Sequence, residues 1–169
     1  MRPPTPHPPG PGQESVWDYP RPPRLERTDH EVEVVLGGRV VARTRSPLRV
    51  LETSHPPTYY LPVDCFVDGA LRPAGGGSFC EWKGQAAYAD VVGGDPAAPV
   101  VAERAAWYYP TPTSSYAEIL DHVALYPGAM DRCTVDGELV RPQPGGFYGG
   151  WVTSRVVGPF KGDPGTLSW

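Results

Sequence analysis

A chain of 169 residues is long enough to bury the core of one domain. Its formal charge of −4 excludes the basic footprint that DNA or RNA binding requires, so no nucleic-acid partner is expected. The 23 prolines and 20 glycines make up about a quarter of the chain and exclude an architecture of long helices, favouring short strands and many turns.

Nowhere do 18 apolar residues run together and the N-terminus has no apolar signal region, so no membrane partner is expected and the predicted location is the cytoplasm. Cys65, Cys80 and Cys133 are odd in number and too widely spaced for a knuckle. The expectation is reduced thiols with no disulfide framework, no structural zinc and no other metal site. No cofactor is assigned.

Residues 1–14 are proline-rich with almost nothing to bury, and are expected to form a disordered tail. Residues 15–169 are then a single β domain, beginning with an extended arm over 15–30 in which Trp17 and Tyr19 pack on the domain surface. Glu31–Leu36 alternates polar and apolar residues, Gly37-Gly38 supplies a tight turn, and Arg39–Arg43 returns as the second strand of a hairpin. Leu48–Leu51 starts a third strand and leads into a corner over Glu52–Tyr60, stiffened by Pro56-Pro57.

Pro62–Ser78 is expected to be a loop-rich connection, with Gly75-Gly76-Gly77 flexible. Ala86–Val92 reads as a strand, Gly93–Pro96 as a turn, Pro99–Ala102 as a short strand, and Ala105–Tyr109 as an aromatic strand closed by Pro110. One short helix is expected after Ser114 or Ser115, with Glu118 completing a capping box. His122–Tyr126 resumes a strand, and a second hairpin turns at Asp136-Gly137. Residues 145–169 place aromatic residues among glycines and are expected to wrap one side of the sheet. The predicted fold class is mainly β and antiparallel.

Four stretches carry a family resemblance: Leu51–Tyr60 (LETSHPPTYY), Cys80–Tyr88 (CEWKGQAAY), Trp107–Pro112 (WYYPTP) and the Gly- and Trp-rich residues 145–169. Together they resemble the domain of unknown function 427 family in its longer form. That resemblance implies a compact β-tent-like fold, here without the zinc cysteines of several such domains, and it brings a nucleotidyltransferase label. The chain departs from the pattern by carrying Ala89 where an aromatic residue often follows the tyrosine of this strand.

Candidate site residues cluster in the same stretches. Metal-dependent nucleotidyl transfer needs closely spaced carboxylates, and the chain has neither an Asp-x-Asp pair nor a P-loop. Arg49 and Glu52 can form a structural ion pair or fix a polar ligand at a pocket edge. Glu52 and Lys83 are the best acid–base or catalytic candidates if chemistry occurs. His55 reads as a turn residue or a proton shuttle. Tyr59 and Tyr60 point opposite ways in a strand, one into the core and the other free to line a site.

The chain has two lysines against thirteen arginines. Lys83 stands between Trp82 and Gly84, an arrangement that Lys161 repeats between Phe160 and Gly162. An aromatic wall beside an ammonium suits an anionic ligand, although lysine stems also pack on rings merely to reach water. Tyr88, Trp107 and Tyr109 add rings that either complete a cage or belong to the core. The favoured reading is a β domain that binds a small polar or anionic molecule in an aromatic-lined pocket. An enzyme (nucleotidyltransferase or Glu/Lys-dependent hydrolase) and a protein-interaction module are the alternatives.

Overall fold

A computed structural model describes residues 2–169; Met1, the first residue of the expected disordered tail, lies outside the described residues. Residues 2–13 contain no helix or strand, and they touch the body where the His7 amide donates to the Gly158 carbonyl at 2.8 Å. The early strands are β1 (Glu14–Ser15), β2 (Arg24–Arg27), β3 (Val32–Leu36), β4 (Arg39–Thr44), β5 (Leu48–Leu51) and β6 (Thr58–Pro62). Long strands follow, β7 (Leu71–Cys80), β8 (Gly84–Asp95) and β9 (Ala98–Tyr108), and then β10 (His122–Leu125). Shorter ones finish the chain: β11 (Arg132–Val135), β12 (Glu138–Leu139), β13 (Arg141–Pro142), β14 (Trp151–Val152) and β15 (Val156–Val157).

Among the described residues the larger sheet runs in the order β2-β5-β6-β10-β9-β8-β7 and the smaller in the order β12-β11-β3-β4. Both are antiparallel throughout, whereas β1 and β15 pair in parallel. The mainly β, antiparallel expectation therefore holds. Strand alternation decides what each face of the larger sheet meets. Tyr59, Leu61, Val123 and Leu125 pack with Val34, Val41 and Val135 of the smaller sheet and with Trp151 to form the main core. Their neighbours Tyr60 and Ala124 join a second cluster on the opposite face, with Val50, Tyr109, Tyr116 and Ile119.

Both predicted hairpin turns form, with positive φ at Gly37 and Gly38 and at Asp136 and Gly137, as a tight two-residue turn requires. Two glycine expectations are corrected. Gly75–Gly77 is not a loop but part of β7, where the pairing with β8 shifts register between Pro73 and Gly77. A run without side chains lets an edge strand bulge and keep its ladder. Gly93 and Gly94 are not a turn either; they continue β8, so that β8 and β9 are one long hairpin. A Cβ on Gly93 would lie 2.2 Å from the Leu36 carbonyl oxygen, so these glycines allow the β3–β4 turn to rest on the sheet backbone.

The predicted helix lies where expected but is 3₁₀, over Ser114–Ile119, with a kink at Tyr116. The capping box does not form: Thr113 is the N-cap, and Glu118 reaches across to Arg27 at 2.8 Å. Three further 3₁₀ turns occur among the described residues, at Val16–Asp18, Val63–Cys65 and Pro127–Ala129. The arm is anchored by aromatics, since the Trp17 indole donates to the Pro159 carbonyl at 2.9 Å and its ring lies 5.6 Å from that of Trp169. No helix among the described residues is long and apolar enough to cross a membrane.

Candidate functional site

The corner between β5 and β6 is the foundation of the site. Ser54 adopts a positive φ of 71°, and its buried hydroxyl has no hydrogen-bond partner among the described residues. Both features carry a cost, and the surroundings impose them. From one side the arm holds the corner, through Ser54 N to Val16 O at 3.0 Å and Thr53 N to Pro20 O at 3.2 Å. From the other side the C-terminal segment holds it, through Lys161 N to Ser54 O and Trp151 N to Pro57 O. Glu52, His55 and Pro56 are thereby fixed at the edge of a cleft of about 710 Å³.

Of the residues singled out from sequence, Glu52, Tyr60, Trp82, Lys83, Tyr88, Trp107 and Tyr109 line this cleft together. They arrive from the β5–β6 corner, β6, the β7–β8 turn, β8, and β9 with the residue after it; the sheet order places β9 beside β8 and puts β10 between β9 and β6. Tyr60 and Tyr109 lie with ring centroids 6.5 Å apart, and burial raises the phenol pKa of each well above its usual range.

Arg49 and Tyr59 do not line the cleft. Arg49 is 5% exposed and donates to Glu14 and Glu26, at 2.8 Å and 2.7 Å for its shortest contacts. Its partner is thus not Glu52, because successive strand residues face opposite sides and β2 brings Glu26 opposite Arg49. Burial opposes the Arg49 charge, yet these two carboxylates outweigh it and keep the guanidinium firmly protonated. Tyr59 belongs to the core, its ring 5.0 Å from Trp151 and its hydroxyl 2.9 Å from His30 Nδ1. Ala89 also faces the core rather than the cleft, so an aromatic residue at that position is not missing from this wall.

The polar centre of the site is a chain of three residues. Gln143 accepts from the Gly150 amide through Oε1, at 3.0 Å, and donates through Nε2 to the Lys161 carbonyl, at 2.8 Å. Those bonds settle which end of the amide is nitrogen. Nε2 also lies 3.0 Å from His55 Nδ1, so that ring nitrogen must accept. The imidazole proton then sits on Nε2, 3.3 Å from Glu52 Oε2, an oxygen that also meets Arg21 at 3.2 Å. Burial alone raises the Glu52 carboxyl, but the His55 hydrogen bond and the Arg21 and Lys83 charges prevail and hold it below the ordinary glutamate range. Glu52 is an oriented, ionised acceptor.

Lys83 is 9% exposed, and its ammonium lies 5.7 Å from the Tyr109 ring centroid. Among the described residues no carboxylate comes within ion-pair distance of it. Opposite walls come from the C-terminal segment, which contributes Gln143, Phe147, Tyr148, Gly149 and Lys161. Tyr148 meets the His55 ring edge-on at 4.7 Å. Sequence reasoning named Lys161 only through its repeated aromatic-Lys-Gly pattern and Tyr148 only among the aromatics of the wrapping segment, and passed over Gln143, which carries no local signal. Among the described residues no group of three or more His, Cys, Asp or Glu side chains is placed to hold a metal ion.

The family model described as "Domain of unknown function (DUF427)", labelled NTP_transf_9, matches residues 24–136. None of the curated proteins matches the chain.

Proposed function

The chain belongs to the DUF427 family, and on that premise we propose that its cleft binds a small anionic molecule bearing a flat, ring-like body. The observation that carries this reading is Lys83. Its stem is buried while its ammonium opens on the cleft with no carboxylate among the described residues at ion-pair distance, which leaves its N–H donors for the negative charge of a ligand. Rings surround it: Trp82, Trp107 and Tyr109 offer faces for a planar ligand, while the oriented Glu52 carboxylate accepts one of its N–H or O–H groups. The three free cysteines favour a reducing, cytoplasmic setting.

A thermal-shift screen tests the proposal with small aromatic carboxylates, nucleosides, and nucleotides with and without Mg²⁺. A ligand present at about 100 times its dissociation constant adds roughly 2.7 kcal/mol of stability. The expected result is a metal-independent shift with an anionic ring compound that disappears in Lys83→Gln. A shift confined to a triphosphate with Mg²⁺ would instead support the transferase label, and no shift with any anion would overturn the proposal.

A further inference from the structure

The chain contains two lysines among its fifteen basic Lys and Arg residues, and both line the same cleft. Eight of the thirteen arginines, Arg21, Arg24, Arg27, Arg43, Arg45, Arg49, Arg72 and Arg155, each reach a carboxylate. Among the described residues neither lysine reaches a side-chain carboxylate. We propose that the cleft holds its ligand by two separate acidic groups, one at the Lys83 ammonium and one at the Lys161 ammonium, with a flat body between them. The ligand class is a rigid dianion such as an aromatic dicarboxylate. This inference rests on the reading of the cleft as an anion site and adds a second subsite to it.

The two subsites are built alike from distant parts of the chain. Lys83 comes from the β7–β8 turn and lies 5.7 Å from the Tyr109 ring centroid, and Lys161 lies 5.5 Å from that of Tyr148. Each ring positions an ammonium without neutralising it. Lys161 makes one hydrogen bond, to the Trp169 carbonyl at 3.3 Å, which leaves other N–H donors free for a ligand. The cleft's own acids pair with neither ammonium, although the Lys83 charge is felt at Glu52. Glu52 directs one oxygen to Arg21 and His55, and Glu81 is exposed. A cleft of about 710 Å³ falls within the range of small-molecule sites.

Lys161 and Tyr148 lie outside the matched residues 24–136, so the second subsite is a property of the C-terminal segment. Substitution at Lys161 leaves the backbone contacts there intact, because its amide bonds to Ser54 O and its carbonyl accepts from Gln143.

Titration calorimetry of the full chain at low ionic strength tests the proposal with benzoate, the three benzene dicarboxylates and phenyl phosphate. At least one dicarboxylate is expected to bind about tenfold more tightly than benzoate, the gain of one further charge-assisted contact. Lys161→Gln should reduce that dicarboxylate to the affinity of benzoate while leaving benzoate within about twofold. Lys161→Arg should retain most of the preference, separating charge from packing. Lys83→Gln should remove both ligands. Benzoate binding without any dicarboxylate gain, or an equal loss of both ligands in Lys161→Gln, would overturn the second subsite alone. Phenyl phosphate binding most tightly, with dependence on both lysines, would also overturn it, by showing that the ammoniums converge on one group. Failure of every anion to bind would remove the underlying anion-site reading as well.

Discussion

Gln143 Nε2 lies 3.0 Å from His55 Nδ1, and this buried contact joins residues 88 positions apart. Gln143 is the keystone between the corner and the C-terminal segment, because its amide also bonds to Gly150 N and Lys161 O. Gln143→Leu fills similar space but leaves a ring nitrogen, an amide and a carbonyl without their partner. We expect a loss of about 2–4 kcal/mol in urea unfolding, larger than one hydrogen bond because several groups are orphaned together. A loss below about 0.5 kcal/mol would show that solvent replaces the amide and that the corner does not depend on it.

Lys83 makes the opposite prediction for stability. Its stem is buried and its ammonium has no carboxylate among the described residues at ion-pair distance, so Lys83→Met keeps the packing of the stem and removes a charge that the fold does not pair. The melting temperature of Lys83→Met should equal or exceed that of the wild type, while anion binding is lost. A residue that raises stability when removed but is needed for binding is serving the site rather than the fold. A marked fall in melting temperature would mean that the contact with Tyr109 is structural.

Arg49 is structural, and its replacement should reveal this through pH. Arg49→Met leaves Glu14 and Glu26 facing each other with only the more exposed Arg24 beside them, at an expected cost of about 2–3 kcal/mol at neutral pH, moderated by their partial exposure. The Arg49 hydrogen bond holds the Glu14 carboxyl below the ordinary glutamate value of 4.5. For a carboxyl lowered in the folded state, the stabilisation is complete above the unfolded value and is lost as pH falls through the folded one. The Glu14 part of the difference between wild type and Arg49→Met should therefore be constant above pH 4.5 and shrink below it. Burial lowers the His30 pKa from 6.5, so both proteins should also lose stability below that pH as the unfolded chain takes up the proton first. Chemical denaturation across pH 3–8 separates these effects, and a difference that persists unchanged in acid would remove Glu14 from the explanation.

The sequence made legible what depends on near neighbours. Strand alternation separates Tyr59 from Tyr60, Gly37-Gly38 marks its hairpin, and the aromatic-Lys-Gly pattern singles out both cleft lysines. Glycine misleads at Gly93-Gly94 because a turn and a close backbone approach make the same demand for a missing side chain, and only the packing of Leu36 distinguishes them. Arg49 misleads because its partners lie 35 and 23 positions upstream and reach it only when the arm folds back. Gln143 has no signal at all, since its role exists only after β13 and β14 bring the C-terminal segment against the corner.

That segment can be displaced by a single methyl group. Gly149 lines the cleft, and a Cβ built on it would lie 2.2 Å from the far edge of the Trp107 ring, with two further ring atoms at 3.1 Å. The ring cannot retreat freely, because its other neighbour is Tyr126, with centroids 4.7 Å apart. Gly149→Ala must push either the ring or the segment, and overpacking of this kind costs about 1–3 kcal/mol. The segment is expected to yield, so the substitution should carry Tyr148 and Lys161 away from Lys83. The expected outcome is a modest fall in melting temperature together with loss of the dicarboxylate preference and retention of benzoate binding. If stability falls while the preference survives, the ring has moved instead, and the position of Lys161 does not depend on the contact between Gly149 and Trp107.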